Sequence, residues 1–100
     1  MGGTTEREAT IAYVLIKAEL GAAKQVAEGV SGIGEVLYAD IVTGPYDVIA
    51  AVYVPSNREL GDAMIEKIQT VEGVKNPLTA VVSSNWKDGE AVPMGHSYFP

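Results

Sequence analysis

Apolar residues recur along the chain in two patterns, which together predict six elements in the order β-α-β-β-α-β. Short apolar runs rich in β-branched and aromatic residues predict strands. The four predicted strands are Thr10–Ala18, Glu35–Thr43, Asp47–Val54 and Pro77–Ser83. Between the first two strands, Gly21–Val30 has apolar residues at helical spacing, and Ser31 and Gly32 then predict the end of that helix.

The second helix has clearer start and stop signals. Ser56 and Glu59 have the spacing of a capping box, in which each side chain accepts a hydrogen bond from the other residue's backbone amide. One face of the predicted helix is apolar and consists of Leu60, Met64, Ile68 and Val71. Gly73 follows this face as a candidate C-terminal cap, so we expect the helix to end there.

This order of elements predicts an α+β domain with the ferredoxin-like, or split βαβ, fold. The right-handed crossover rule places both helices on one face of a four-stranded antiparallel sheet. A chain of 100 residues provides one such domain with one core. We expect a flexible N-terminus over residues 1–9, the domain over residues 10–83 and a C-terminal tail over residues 84–100.

Two of the predicted strands are apolar on both faces, although only one face of the sheet can pack against helices. Ala12–Ile16 and Val48–Val54 are continuous apolar runs, whereas a sheet covered on one side alternates apolar and polar residues. The uncovered face would expose aliphatic and tyrosine side chains, and monomers seldom expose large contiguous apolar patches. We therefore expect a second subunit on this face, in a homodimer of the dimeric α+β barrel type.

The charge and composition of the chain exclude several kinds of partner. Thirteen acidic and seven basic residues give a net charge of −6, and the basic residues are scattered, so a phosphate backbone is repelled. No stretch approaches the roughly 18 apolar residues of a membrane helix, and residues 1–9 lack the apolar core of a secretory signal. We expect a cytoplasmic protein that binds neither nucleic acid nor membrane directly.

The side chains offer little for catalysis or for a bound cofactor. Nucleophilic catalysis needs a base near a Ser, Thr or Cys, but the single histidine, His96, lies in the predicted tail and the chain has no cysteine. No His/Asp/Glu cluster has the spacing of metal ligands. We therefore expect no catalytic residue, no metal and no cofactor. His96 is expected to be solvated; its alternative role is that of a general base.

The predicted tail is rich in aromatic residues and has no clear period. Trp86, Tyr98 and Phe99 lie there among glycines and prolines. Two interpretations remain open for this segment. It is either a loosely ordered tail or an arm whose aromatic end docks on a neighbouring subunit.

The hairpin Val42–Asp47 (VTGPYD) is the most informative segment. Pro45 fixes one turn residue and Gly44 relaxes another, so the simplest interpretation is a tight turn that Asp47 caps. A binding role is also open. The amides of Gly44 and Tyr46 can donate to a carboxylate, and Asp47 can accept from an ammonium group, while the tyrosine ring can form an apolar wall. A zwitterionic amino acid combines these groups.

The same hairpin carries a family resemblance. VTGPYD, the preceding GIGEVLYADI and the later VEGVKNPLT resemble the effector-binding domain of the Lrp/AsnC transcriptional regulators, known as the RAM domain. The resemblance spans about Ala12 to Ser83. Family members carry an N-terminal helix-turn-helix domain, for which the residues before Thr10 leave no room, so we expect a stand-alone RAM domain.

The resemblance implies an assembly and a ligand site. Family domains dimerise through their sheets, the dimers join into rings that are commonly octameric, and amino-acid effectors bind between dimers. The implied ligand-binding residues are Thr43, Gly44, Tyr46 and Asp47 in the hairpin, and Thr79, Ser83 and Ser84 at the last strand. A DNA-binding helix-turn-helix paralogue is an implied partner, through which the domain would modulate transcription.

Two other functions compete with a stand-alone effector-binding module. The first is an enzyme of the dimeric α+β barrel kind, such as a monooxygenase or an isomerase. It would need a pocket on the uncovered sheet face, where Tyr13, Tyr38 and Tyr53 are the polar candidates; otherwise these tyrosines fill the subunit interface. The second is an oligomerisation module that binds no ligand, which the sequence does not separate from the effector-binding module.

Overall fold

Eight elements follow one another in the computed structural model, which describes residues 10–55 and 57–92. The strands of the main sheet are β1 (Thr10–Ala18), β2 (Val36–Ile41), β3 (Val48–Val54) and β4 (Val74–Val81). The helices are α1 (Ala23–Ser31) and α2 (Arg58–Gln69), and a hairpin of β5 (Asn85–Lys87) and β6 (Glu90–Val92) follows β4. The predicted flexible N-terminus lies outside the described residues, as do His96, Tyr98 and Phe99.

The main sheet is antiparallel, with the strand order β2-β3-β1-β4. Both helices pack against one face of it, because buried residues of α1 and α2 belong to the same core as those of β1 and β3. This is the ferredoxin-like α+β arrangement that the order of elements predicts. Neither of these two helices is long and apolar enough to cross a membrane.

The core lies between the sheet and the two helices. Every second residue of β1 and β3 points into it, as the alternation of a strand requires, and each helix contributes residues one turn apart. Its buried members are Ala12, Val14, Ile16, Val26, Val30, Val36, Val48, Ala50, Val52, Met64 and Ile68. Each large side chain among them contributes about 1.5–3 kcal/mol through its removal from water.

The opposite face of the sheet is mostly apolar, in rows that cross all four strands, with Asp40 as a charged residue at the β2 edge. The register aligns Tyr38, Ala51, Tyr13 and Ala80 in one row, and Asp40, Ile49, Leu15 and Leu78 in the next. We call these two rows, together with Ile11 and Tyr53, the open face. Ala51 has no exposed surface there although it lies outside the core cluster, because a tyrosine stands on either side of it in its row.

Strand β4 begins at Val74, three residues before the start that the sequence predicts. The pairing register of β1 with β4 shifts between Leu15 and Lys17, and Asn76 has a φ of +39° at this bulge. Pro77 has no amide to donate, and a bulge in an edge strand accommodates it. The proline therefore lies inside the strand instead of starting it.

Helix α2 begins with a different cap from the predicted one. The Oδ1 atom of Asn57 accepts a hydrogen bond from the amide of Leu60 at 3.1 Å, so Asn57 is the N-cap. Ser56, the predicted capping residue, lies outside the described residues. Glu59 is in the first turn, where its charge is favourable to the helix dipole.

Residues 85–92, which fall in the predicted tail, form a two-stranded hairpin of their own. Asp88 and Gly89 occupy its turn with φ values of +54° and +80°, the backbone conformation that favours Asp-Gly in a two-residue hairpin. Three-residue strands are too short for a period-2 pattern to be recognised in the sequence.

Substitution of alanine for two helical glycines is expected to change the Tm in opposite directions. A Cβ at Gly29 in α1 would lie 2.7 Å from Cγ1 of Val71, whereas one at Gly61 in α2 would meet nothing within 4 Å. The close contact at Gly29 lowers the free energy of unfolding by about 1–3 kcal/mol through overpacking. The higher helix propensity of alanine raises it by up to about 1 kcal/mol at either site. Thermal denaturation should therefore show a lower Tm for Gly29→Ala and a higher Tm for Gly61→Ala. A rise in both variants would show that the contact between α1 and the end of α2 is loose.

Candidate ligand-binding site

The connection between β2 and β3 is closed by backbone hydrogen bonds at its base. The amide of Val42 donates to the carbonyl of Asp47 at 2.9 Å, and the amide of Asp47 donates to the carbonyl of Ile16 at 2.9 Å. The second bond attaches the hairpin to β1, the neighbouring central strand. The hairpin therefore has a fixed position at one end of the sheet.

The Asp47 side chain strengthens this attachment. Its Oδ2 atom accepts a hydrogen bond from the amide of Ala18 at 2.8 Å, the charge-assisted kind in which a carboxylate caps a backbone donor. The sequence predicts that Asp47 caps its own turn, whereas in the structure its side chain accepts from the end of β1. Its other oxygen, Oδ1, has no hydrogen-bond partner within residues 10–55 and 57–92.

The tip of the hairpin leaves backbone accessible. Gly44 has a φ of +159°, and a Cβ built on it would have no heavy atom within 4 Å. The amides of Gly44 and Tyr46 donate to no backbone carbonyl in the described part of the chain. Thr43 and Pro45 are exposed and Tyr46 is half-buried. The tip thus offers two amides to an approaching acceptor.

A cleft of about 490 Å³ opens beside the base of the hairpin. It lies where β1 ends and where α1 and β4 begin, and its lining consists of Ala18, Glu19, Leu20, Gly21, Ala23, Lys24, Asp47 and Lys75. Acidic and basic side chains therefore meet around one opening. Neither of its lysines forms an ion pair with another described residue, and the side chain of Leu20 is fully exposed at its edge.

The sequence did not predict the cleft lysines or Leu20 as part of a site. Lys24 is the second residue of α1 and Lys75 the second residue of β4, so they are 51 residues apart in the chain. Their meeting depends on the sheet order, which brings β4 beside β1. The available signal in the sequence was a leucine followed by a glycine after β1, at Leu20 and Gly21, and it is weak because single exposed leucines are common.

The structure brings together four of the seven predicted ligand-binding residues and separates the other three from them. Thr43, Gly44, Tyr46 and Asp47 share the hairpin, and of these Asp47 lines the cleft. The remaining predicted residues are Thr79, Ser83 and Ser84.

The three residues at the last strand lie away from the hairpin in the same protomer. Thr79 pairs with Val14 in the middle of β1, whereas the hairpin meets the end of β1 at Ala18. Ser83 and Ser84 follow Val82, whose amide donates to the carbonyl of Ile11 at the opposite end of β1. The serines could join the hairpin only from another subunit, so their role stays a prediction.

The described residues contain no group of side chains that could form a metal centre. Among residues 10–55 and 57–92, no group of three or more His, Cys, Asp or Glu side chains could hold a metal ion. The chemistry available at the hairpin and the cleft is that of charges and hydrogen-bond donors: the carboxylates of Glu19 and Asp47, backbone amides and two ammonium groups.

The sequence as a whole matches one protein family. Residues 11–92 match the model of the Lrp/AsnC ligand-binding domain. An uncharacterized HTH-type transcriptional regulator of Pyrococcus furiosus, PF1231, is 32% identical over 81 residues, which are 81% of this chain and 55% of the relative. The chain thus spans about half the length of the curated relatives that it matches.

Solved structures of other proteins have the same fold as this chain. The crystal structure of TTHA0845 from Thermus thermophilus is similar with a TM-score of 0.68 at 28% identity, covering 78% of this chain and 98% of that one. The transcriptional regulator NMB0573 of Neisseria meningitidis, solved in complex with L-Met, has a TM-score of 0.67 at 17% identity, covering 84% and 56%. The second likeness is one of fold alone. On the family match from β1 to β6, this chain belongs to the Lrp/AsnC family and forms its ligand-binding domain.

Proposed function

We propose that this domain binds a free amino acid at the hairpin end of its sheet and passes that signal to a transcriptional regulator. The observation that carries the proposal is the hydrogen bonding and the position of the Asp47 side chain. One carboxylate oxygen is fixed by the amide of Ala18, while the residue also lines a cleft that contains Lys24 and Lys75. A fixed negative group beside positive ones matches the two ends of a zwitterion.

In this proposal Asp47 receives the α-ammonium group. Its Oδ1 atom has the free lone pairs, and the bond at Oδ2 holds the carboxylate in place before the ligand arrives. Such preorganisation lowers the entropic cost of binding. A hydrogen bond between two charged groups is about twice as strong as a neutral one, so the ammonium contact supplies much of the affinity.

In this proposal the α-carboxylate binds donors in the same hairpin. The amides of Gly44 and Tyr46 donate to no backbone carbonyl among the described residues, and the open space where a Cβ would stand at Gly44 lets a ligand approach the backbone. Lys24 and Lys75 provide positive groups in the cleft, which also contains the carboxylate of Glu19. A volume of about 490 Å³ lies within the range of roughly 300–1,000 Å³ that small-molecule sites have.

The relatives support an amino-acid ligand for this fold. NMB0573, which shares the fold, is a transcriptional regulator solved with L-Met. Fold likeness alone does not carry function, so the support comes from the fold together with the charges around Asp47. Titration with each of the twenty amino acids identifies the one that this chain binds.

We further propose that the domain works as an assembly. A second copy covers the open face, and pairs of copies join so that Thr79, Ser83 and Ser84 of one chain approach the hairpin of another, in a ring such as an octamer. A helix-turn-helix paralogue in the cytoplasm would then bind the ring and respond to its assembly state. The domain would therefore affect DNA binding only through that partner.

The domain is proposed to hold its ligand without transforming it. The charged groups at the cleft match the ends of an amino acid, and Tyr46, which is half-buried next to Asp47 in the chain, is proposed to contact the side chain of the ligand. The competing enzyme hypothesis uses His96, which lies outside the described residues, or the tyrosines of the open face. Recovery of the bound amino acid unchanged after prolonged incubation would support a sensor, and its conversion would favour the enzyme.

Asp47→Asn is expected to weaken amino-acid binding by about 10- to 100-fold. Asparagine keeps an oxygen that can accept from the Ala18 amide, so the hairpin stays attached, but the charge that attracts the ammonium group is lost. A hydrogen bond to a charged group contributes about 1.5–3 kcal/mol, and each 1.4 kcal/mol is tenfold in affinity. Isothermal titration measures this change, once the same titration of the unaltered protein has identified the ligand.

Asp62→Asn is the matched control, because Asp62 is an exposed carboxylate on α2 away from the cleft. It makes the same change of one charge and should bind the ligand as the unaltered protein does. Equal losses in both variants would indicate a general effect of net charge. Heats that are flat with all twenty amino acids would overturn the proposal.

A further inference from the structure

The β5–β6 hairpin packs chiefly against itself. Its three residue pairs are Asn85 with Val92, Trp86 with Ala91 and Lys87 with Glu90, and every residue from Trp86 to Ala91 is exposed. A two-stranded hairpin is at best marginally stable alone in water. The ordered turn of this hairpin therefore indicates that a second surface stabilises it.

The side chain of Trp86 is the feature that such a surface would bury. The indole is 67% exposed, and its Nε1 atom donates to Oγ of Ser84 at 3.0 Å. The polar edge of the ring is thus satisfied within the chain, and the apolar faces are left to solvent. Tryptophan is among the residues most enriched at the energetic centres of protein interfaces.

The position of the hairpin fits a contact with a paired sheet. Val82 is still attached to β1 through its bond to Ile11, so the three Cα steps from Val82 to Asn85, the first residue of β5, form the connection and span at most about 10 Å. Two sheets that pack face to face are also about 10 Å apart. A hairpin at the end of an edge strand can therefore cross the gap to the sheet of a second copy.

The open face of a second copy is the occupant that these observations favour. It offers exposed apolar side chains, among them Tyr53 at 50% and Leu78 at 55%, and such a patch is unusual on a monomer. A twofold pairing repeats every contact, so each hairpin would lie on the sheet of the other chain. One interface would then cover both the open face and Trp86.

We propose that the β5–β6 hairpin is a clasping arm, which packs Trp86 onto the open face of a second copy of this chain. The inference rests on the sheet pairing proposed above and adds a second contact to it. Each of the two arms buries one Trp86 side chain. The dimer is therefore stabilised at the rim of the interface as well as at its centre, where the sheets pack.

The chain contains its own reporter for this contact. Trp86 is the single tryptophan, so the fluorescence emission maximum follows the environment of the arm alone. On dilution, we expect the emission to shift to longer wavelength with the same midpoint as the fall in mass measured by sedimentation. Trp86→Ala should raise the dimer dissociation constant at least tenfold, and Trp86→Phe, which keeps an aromatic ring, should raise it less.

Lys87→Ala is the control on the same strand, since adjacent strand residues point to opposite sides, and it should leave the dissociation constant within about twofold. A dimer whose tryptophan emission stays that of an exposed indole, and which Trp86→Ala leaves intact, would overturn the arm while the sheet pairing stands. A chain that is monomeric at every concentration would overturn both proposals.

Discussion

Leu78→Lys is expected to convert the assembled protein into monomers. Leu78 lies on the open face, in edge strand β4, and is 55% exposed in the single chain, so a lysine there leaves the fold of one copy intact. Loss of a buried leucine costs about 1.5–3 kcal/mol, and a twofold interface contains the change twice. The dimer dissociation constant should therefore rise about 10²- to 10⁴-fold, as measured by sedimentation over a range of concentrations.

Val81→Lys tests whether the face, and not the strand or the charge, determines this result. Val81 is 58% exposed and belongs to the same strand. It pairs with Ala12, which is buried under the helices, so its side chain points to the opposite side of the sheet from Leu78. The control variant should dimerise normally. Equal dissociation in the two variants would show that the open face is not the interface.

The sequence alone predicted the fold because the strands and helices have strong patterns. β1 occupies the predicted range, and the two helices begin within two residues of their predicted starts. The apolar character on both sides of β1 and β3 predicted that the face away from the helices is apolar, as it is in the structure. The second subunit expected on that face stays a prediction. Element boundaries were less accurate at β4, where a bulge at Pro77 extends the strand backwards.

The candidate site could be predicted where it is local in sequence. The hairpin residues are consecutive, so turn chemistry and the resemblance of VTGPYD predicted Asp47 as a ligand-binding residue, and Asp47 lines the cleft. The cleft residues Lys24 and Lys75 are brought together by strand order, which no local pattern encodes. The hydrogen bond from the Ala18 amide to Asp47 likewise joins residues 29 positions apart, and it shows why one carboxylate can both hold the hairpin and offer an oxygen.

Ile68→Ala is expected to cause the largest loss of stability among these substitutions. Ile68 is fully buried on α2, within the core between the helices and the sheet. Truncation of such a residue costs about 2–5 kcal/mol, from lost transfer energy and from the cavity that remains. A small domain has about 5–15 kcal/mol of stability in total, and each 1 kcal/mol lowers Tm by about 4–8 °C at this size. Thermal denaturation should thus show a fall in Tm of at least about 8 °C.

Leu60→Ala is the matched control on the same helix, because Leu60 is 56% exposed and its truncation leaves no cavity. Surface changes of this kind usually stay within about 0.5 kcal/mol. Both variants must be compared at one protein concentration, since dimer formation raises Tm by mass action. If Ile68→Ala melted no lower than Leu60→Ala, α2 would not be packed as the structure has it. The cavity that Ile68 leaves lies on the helix side of the sheet, so the variant should still dimerise through the open face while it is folded.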